Sequence, residues 1–215
     1  MIHNLEYDLW HLVGEEKGIG WQAQDWRWKA PKLATLLEGK TRALVAGGNI
    51  GMYPRYLSNL FEEVIAMEPV KEYYECLLKN TRNKLNVVPI NKGLSNSNTP
   101  AKIIDKEIHN CGHTVLEETT EGEISLICLD DLNLTALDLI ILDVEGFEKR
   151  ALEGARKTIN LHTPTLIIEN NGQCMGFAPL SGHQPSLDFR NWVCNTFNYK
   201  FVDHINGDDF FVKEK

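Results

Sequence analysis

No apolar run in the 215 residues approaches the roughly 20 that a bilayer-spanning helix needs, so no membrane association is expected. The opening Met1-Ile2-His3-Asn4-Leu5-Glu6 lacks the basic-then-apolar pattern of a secretory leader. Cysteines are few and scattered: Cys76, Cys111, Cys128, Cys174 and Cys194 form no Cys-x-x-Cys pair and are odd in number. A disulfide framework and a four-cysteine zinc site are therefore disfavoured, and reduced thiols in a cytoplasmic protein are expected. Positive charge is also short, with 22 Lys and Arg against 30 Asp and Glu and a net charge of −8. Duplex nucleic acid, which is held largely by phosphate neutralisation, is not an expected partner. The basic stretches 27–32 and 79–84 read as solvated faces. There is no internal repeat, and no linker long enough to separate domains.

What is present suits one α/β domain with a sizeable core, at 43% hydrophobic and 24% charged residues. Residues 1–30 carry Trp10, Trp21, Trp26 and Trp28 with little periodicity. They are expected to pack as a segment on a domain spanning 31–215. Pro31 marks a helix start, and 32–37 reads as a short helix. Strands and helices then alternate. Strands are expected at 43–46, 64–67, 87–90, 137–142 and 165–168, and helices at 52–61, through Tyr73 to Leu78, at 145–159 and at 187–197. The polar stretch 93–122 offers one strand at 102–105, and 124–129 reads as an edge strand followed by a turn or cap. Two β-like runs, 200–204 and 209–212, flank Asn206-Gly207 and predict a closing hairpin. The pattern specifies a mostly parallel sheet with helices on both faces and antiparallel pairing at one edge.

Gly47-Gly48-Asn49-Ile50-Gly51 falls between a strand and a helix, where the backbone must turn sharply and approach a ligand without Cβ atoms in the way. Seventeen residues beyond Gly51, Glu68 ends the second strand, placed to accept hydrogen bonds from both ribose hydroxyls of an adenosine. The dinucleotide fingerprint G-x-G-x-x-G is not satisfied, and no second domain is offered to hold a hydride acceptor. S-adenosylmethionine, which has no phosphate, does not require that geometry. A small NAD-binding dehydrogenase remains the lesser reading of the loop.

Three blocks resemble the FkbM-type methyltransferases over roughly Gly20 to the C-terminus. The first is Leu44-Val45-Ala46-Gly47-Gly48-Asn49-Ile50-Gly51 with Met67-Glu68-Pro69, and the second runs from Val88 to Ser95. The third and most distinctive is Leu139-Ile140-Ile141-Leu142-Asp143-Val144-Glu145-Gly146-Phe147-Glu148, continuing through Leu152-Glu153-Gly154-Ala155 and completed by Pro164 to Glu169. The resemblance implies a seven-stranded Rossmann-like methyltransferase sheet and methyl transfer, usually to a hydroxyl oxygen, with a small-molecule or saccharide acceptor. It implies a donor site built from Ala46, Gly47, Gly48, Asn49, Gly51, Glu68, Pro69, Asn91, Lys92 and Asp143, with Asn91 and Lys92 flanking the adenine. Family members usually carry an acid where this chain has Val45, and a non-catalytic, degenerate binding module is the alternative that this departure suggests.

Methyl transfer from a sulfonium is an in-line displacement, helped by a base that takes the acceptor's proton. Asp143 and Glu145, two apart at the carboxyl end of a central strand, are candidates for that base or for a ligand of the acceptor hydroxyl. A divalent metal is a lesser option, and no dedicated metal site is expected. The competing role is structural, with Asp143 capping the next helix and Glu145 and Glu148 complementing its dipole. His109, Cys111 and His113 alternate in a polar loop, where His113 is a candidate acceptor-side residue or base. Glu169-Asn170-Asn171 is a weaker acceptor-contact candidate.

Overall fold

The computed structural model describes residues 1–13, 16–106, 114–171 and 184–214. Ile2–Asn4 (β1) and Leu9–His11 (β2) pair as a small antiparallel hairpin. Asn80 fastens it: its side chain accepts from the Trp10 amide at 2.6 Å and donates to the Trp10 and Ile50 carbonyls. Glu16–Leu36 then forms α1. The helix expected to start at Pro31 instead runs through it. A proline removes one helical hydrogen bond, but α1 is tied down on both sides of it. Before the proline, Lys29 is ion-paired to Asp25 and Asp208; after it, Leu33 is buried in the core.

From Arg42 the alternation follows the sequence pattern. Arg42–Ala46 (β3), Met52–Leu57 (α2), Glu63–Met67 (β4), Lys71–Thr81 (α3) and Val87–Ile90 (β5) come in succession. Next are Gly93–Leu94 (β6), Ala101–Lys106 (β7), Thr114–Glu118 (β8) and Leu126–Ile127 (β9). Leu139–Leu142 (β10), Glu148–Glu153 (α4), Arg156–His162 (α5) and Thr165–Glu169 (β11) follow. Leu187–Phe197 (α6), Tyr199–Ile205 (β12) and Asp208–Lys213 (β13) close the described chain.

Two sequence expectations are corrected here. The 124–129 run is not an edge of the main sheet. Its β9 pairs parallel with β6, and the strand expected at 102–105 pairs antiparallel with β8 in a separate two-stranded sheet. The single helix expected over 145–159 is two helices. Asp130, in the 3-10 turn Leu129–Leu132, accepts from the Lys157 and Thr158 amides at 3.1 and 2.8 Å, capping α5 from outside and so fixing a fresh helix start.

The main sheet has seven strands in the order β12-β13-β11-β10-β3-β4-β5. Five are parallel, and the β12–β13 hairpin joins β11 antiparallel. Side chains alternate across it with the period of two that strands impose. Ala43, Val45, Ile141, Ile167 and Phe210 face α1 and Leu33, while Leu44, Ile140, Leu142, Leu166 and Phe211 face Ala151, Ile159 and Phe189 of α4 to α6. Each fully buried side chain of this size contributes about 1.5–3 kcal/mol relative to exposure. The order of connections reverses between β3 and β10, so the carboxyl ends of those strands open the crevice where parallel sheets bind ligands.

Candidate functional site

The loop after β3 is closed by its own backbone. The Gly47 and Gly48 amides both donate to the Met67 carbonyl, at 3.1 and 2.8 Å, and Gly51 donates to Gly48. Gly47 sits at φ +81°, and a Cβ there would lie 1.7 Å from the Asp143 carbonyl oxygen, so only glycine lets β3 and the β10 loop meet. Glu68, buried at the end of β4, accepts from the Asn49 amide through Oε2 and from the Val70 amide through Oε1, both at 2.8 Å. One carboxylate thus sets the position of two loops.

These loops wall a cavity of about 850 Å³, its open mouth included. Ala46, Gly47, Gly48, Asn49, Glu68, Pro69, Lys92, Asp143 and Glu145 all line it. Tyr53, Val70, Leu94, Leu126 and Phe147 supply apolar wall. Among the described residues of the lining, three carboxyl groups stand against one ammonium. Gly51 and Asn91 lie outside the lining. Gly51, at φ +92°, starts α2, and a Cβ there would sit 3.2 Å from the Leu77 Cα of α3. Asn91 Nδ2 donates to the Glu68 and Pro69 carbonyls at 2.8 and 3.0 Å, bracing the loop behind the cavity. Val45 is wholly buried in the core face toward Leu33 and Phe210. His113, with His109 and Cys111, lies outside the described residues.

Asp143 does not cap a helix: α4 starts five residues later, with Phe147 at its N-cap and no side-chain cap bond. Its carboxyl oxygens instead converge with those of Glu145 and Glu169, one atom of each lying within 4.8 Å of the others. Glu145 adopts φ +50°, uncommon for a non-glycine residue, and this bend after β10 belongs to the loop that carries it. Glu148, wholly buried, holds the same bend by accepting from the Val144 and Gly146 amides at 3.0 and 3.1 Å.

Beneath the carboxyls lies a part of the site that the sequence reading missed. Lys29 of α1, 5% exposed, reaches Asp25 at 2.5 Å and Asp208 at 2.6 Å, and stands 3.3 Å from the Tyr53 hydroxyl. The Tyr53 hydroxyl donates to Asp25. One ammonium therefore serves a group of acids that outnumbers it, and the proton affinities show the imbalance. Burial pushes the Asp143 carboxyl up, opposed by Lys29 and aided by Asp25. Glu169 is pushed well above the carboxylate range by burial and then by Asp143, Glu145, Glu148 and Asp208. Burial likewise raises Asp208 to about 7 despite Lys29, and Glu148 to about 7 despite the amides it accepts from. Tyr53 is pushed far up by burial and by Asp208 and Asp25, so its phenol stays protonated. Asp143 and Glu169 share a side-chain hydrogen bond and titrate as a pair. Of the weaker candidates, Asn170 is spent on structure, donating to Asp209 and to the Ser186 carbonyl, and Asn171 donates to Glu169.

The one signal that could have found Lys29 is its i,i+4 spacing from Asp25 on a helix. Nothing local marks Asp208 beyond its place after the Asn206-Gly207 turn.

The model of the methyltransferase FkbM domain matches residues 46–192. No curated protein sequence matches the chain. Among solved structures, the FkbM methyltransferase of Methylobacillus flagellatus KT is similar at 20% identity and a TM-score of 0.55, over 80% of this chain. The chain spans 43% of that protein's length. An rRNA methylase from Streptococcus thermophilus is similar at 12% identity and TM-score 0.51, over 85% of this chain and 92% of its own. A SAM-dependent methyltransferase from Aquifex aeolicus gives 12% identity and TM-score 0.50, over 86% and 88%. At such identities the structural likenesses establish the fold.

Proposed function

The chain belongs to the FkbM methyltransferase family, and we propose that it transfers a methyl group to a hydroxyl of a small-molecule or saccharide acceptor. Its cofactor is S-adenosylmethionine. The observation that carries the reading is the sign of the cavity's charge: among the described residues of its lining, Glu68, Asp143 and Glu145 stand against Lys92. Such a lining attracts a donor bearing a sulfonium and an ammonium, and repels the pyrophosphate of a dinucleotide. The donor suits the chemistry of this lining: on this reading Glu68 takes the ribose hydroxyls, Lys92 and Pro69 flank the adenine, and Asp143 takes the cationic part. When bound, the cofactor supplies an electrophilic methyl group.

The chain's own residues supply position and a proton acceptor. The Gly47–Gly51 loop, tied to Met67 and Glu68, holds one wall of the cavity fixed. Asp143 or Glu145 accepts the hydroxyl proton as the acceptor oxygen attacks. A carboxylate whose affinity for protons is raised by burial is a better base near neutrality than an ordinary one. Glu169, hydrogen-bonded to Asp143, keeps that carboxyl oriented.

The test is Asp143→Asn and Glu145→Gln, read by calorimetry with S-adenosylhomocysteine and by detection of a +14 Da product in host extract supplied with the donor (one CH₂ gained). Loss of the base lowers turnover by about 10²–10⁴-fold, with donor affinity changed far less. Two fully active variants refute the base assignment. Binding of NAD without binding of the methyl donor refutes the reading as a whole. Donor binding with no methylated product favours the binding-module alternative.

A further inference from the structure

A second, wider cleft opens beside the donor cavity, enclosing about 1400 Å³ with its open mouth included. Its walls are the β7–β8 hairpin, through Ile104 and Val115, and the outer face of α4. Leu116, Glu145 and Phe147 line both spaces, so the two share a wall that carries one of the candidate bases. We propose that this cleft receives the acceptor and selects neutral polyhydroxylated molecules over phosphorylated ones, an inference that rests on the methyl-transfer reading above.

The argument is placement and charge. A hydroxyl arriving through the cleft meets Glu145 at the boundary, within 4.8 Å of the Asp143 and Glu169 oxygens. The left-handed backbone at Glu145 belongs to the bend at this boundary. Strain of this kind persists where the surroundings fix it, and here Glu148 does so through the Val144 and Gly146 amides. The lining acids outnumber the cations, and both lining cations are already paired. Arg150 Nη1 lies 2.6 Å from Glu118, and Lys149 Nζ 3.7 Å from Glu153. Of the two other lining acids, Glu145 stands at the boundary and Glu117 pairs with the exposed Lys102 at 2.9 Å. A phosphate in this cleft would face net negative charge with each described cation of the lining engaged. Neutral hydroxyls suit it, because they donate to the carboxylates without bringing charge.

The experiment uses the full chain with S-adenosylhomocysteine bound, and a panel of neutral mono- and disaccharides with their monophosphates. Saturation-transfer NMR reads binding and labelled S-adenosylmethionine reads turnover. Neutral members are expected to give saturation transfer, and the phosphates at least tenfold weaker signals. Ile104→Trp, on an exposed position outside the donor cavity, is expected to weaken neutral-sugar binding at least tenfold while leaving S-adenosylhomocysteine affinity and the melting midpoint unchanged. Glu117→Lys is expected to narrow the preference over phosphates by about tenfold. Equal or better binding of the phosphates, neutral binding unaltered in Ile104→Trp, or no binding of any neutral member overturns the inference. In each of those cases a +14 Da product from host extract still leaves the methyltransferase reading standing. Failure to bind S-adenosylhomocysteine brings down both.

Discussion

Removing the ammonium of Lys29 is the sharpest perturbation this structure offers. Lys29→Met leaves the chain length and most of the stem, yet strips the one cation from Asp25 and Asp208, which it meets at 2.5 and 2.6 Å with side-chain exposures of 19% and 8%. Breaking a buried pair by deleting one partner costs about 3–5 kcal/mol, because the remaining charges are left uncompensated. At about 2–4 °C per kcal/mol for a chain of this size, the melting midpoint should fall by roughly 6–20 °C at pH 8. The loss should shrink at pH 5, where Asp208, already raised to about 7, takes up a proton and no longer needs the cation. Lys29→Arg, which keeps the charge, should lose much less at pH 8. Calorimetric scans of the three proteins at both pH values decide it. A Lys29→Met midpoint within about 2 °C of wild type at pH 8, or a drop of equal size at pH 5, refutes the account of a single ammonium compensating a buried acid cluster.

The wild-type protein should itself be less stable at pH 8 than at pH 5. Glu148 and Asp208, raised to about 7, keep their protons in the folded state over a window where the unfolded chain has lost them. Stability therefore falls as pH rises from about 4 to about 7 and levels off above, by up to roughly 3–5 kcal/mol per group at about 1.4 kcal/mol per pKa unit. A midpoint that climbs through this window in denaturant titrations contradicts the assignment. Glu68→Gln replaces one acceptor oxygen by an NH₂ group facing an amide of Asn49 or Val70. Leaving that amide unpaired costs about 1–3 kcal/mol, so calorimetry should find S-adenosylhomocysteine binding about tenfold or more weaker; unchanged affinity would remove Glu68 from the donor site. Gly47→Ala, with its Cβ driven into the Asp143 carbonyl, should abolish donor binding in the same assay while circular dichroism reports a lowered midpoint.

The sequence by itself determined the order along the chain of the seven main-sheet strands and of helices α2, α3 and α6, because each depends on local periodicity and on stop signals a few residues away. The apolar runs at 43–46 and 139–142 could only be buried strands, and the Asn206-Gly207 hairpin announced the antiparallel edge. Gly47, Gly48 and Glu68 were legible for the same reason: a tight turn and an acid at a strand end are local requirements. Breaks that depend on a distant cap were not legible, and the division of 145–159 by Asp130 is one. The chemistry beneath the cavity was decided only by the tertiary structure. Lys29 and Asp208 are 179 positions apart and meet because the closing hairpin folds back beside β11 and α1 lies across that face. In the sequence Lys29, Asp25 and Asp208 are ordinary surface charges. Burial makes them a buried network, and no residue pattern reports burial that other segments supply.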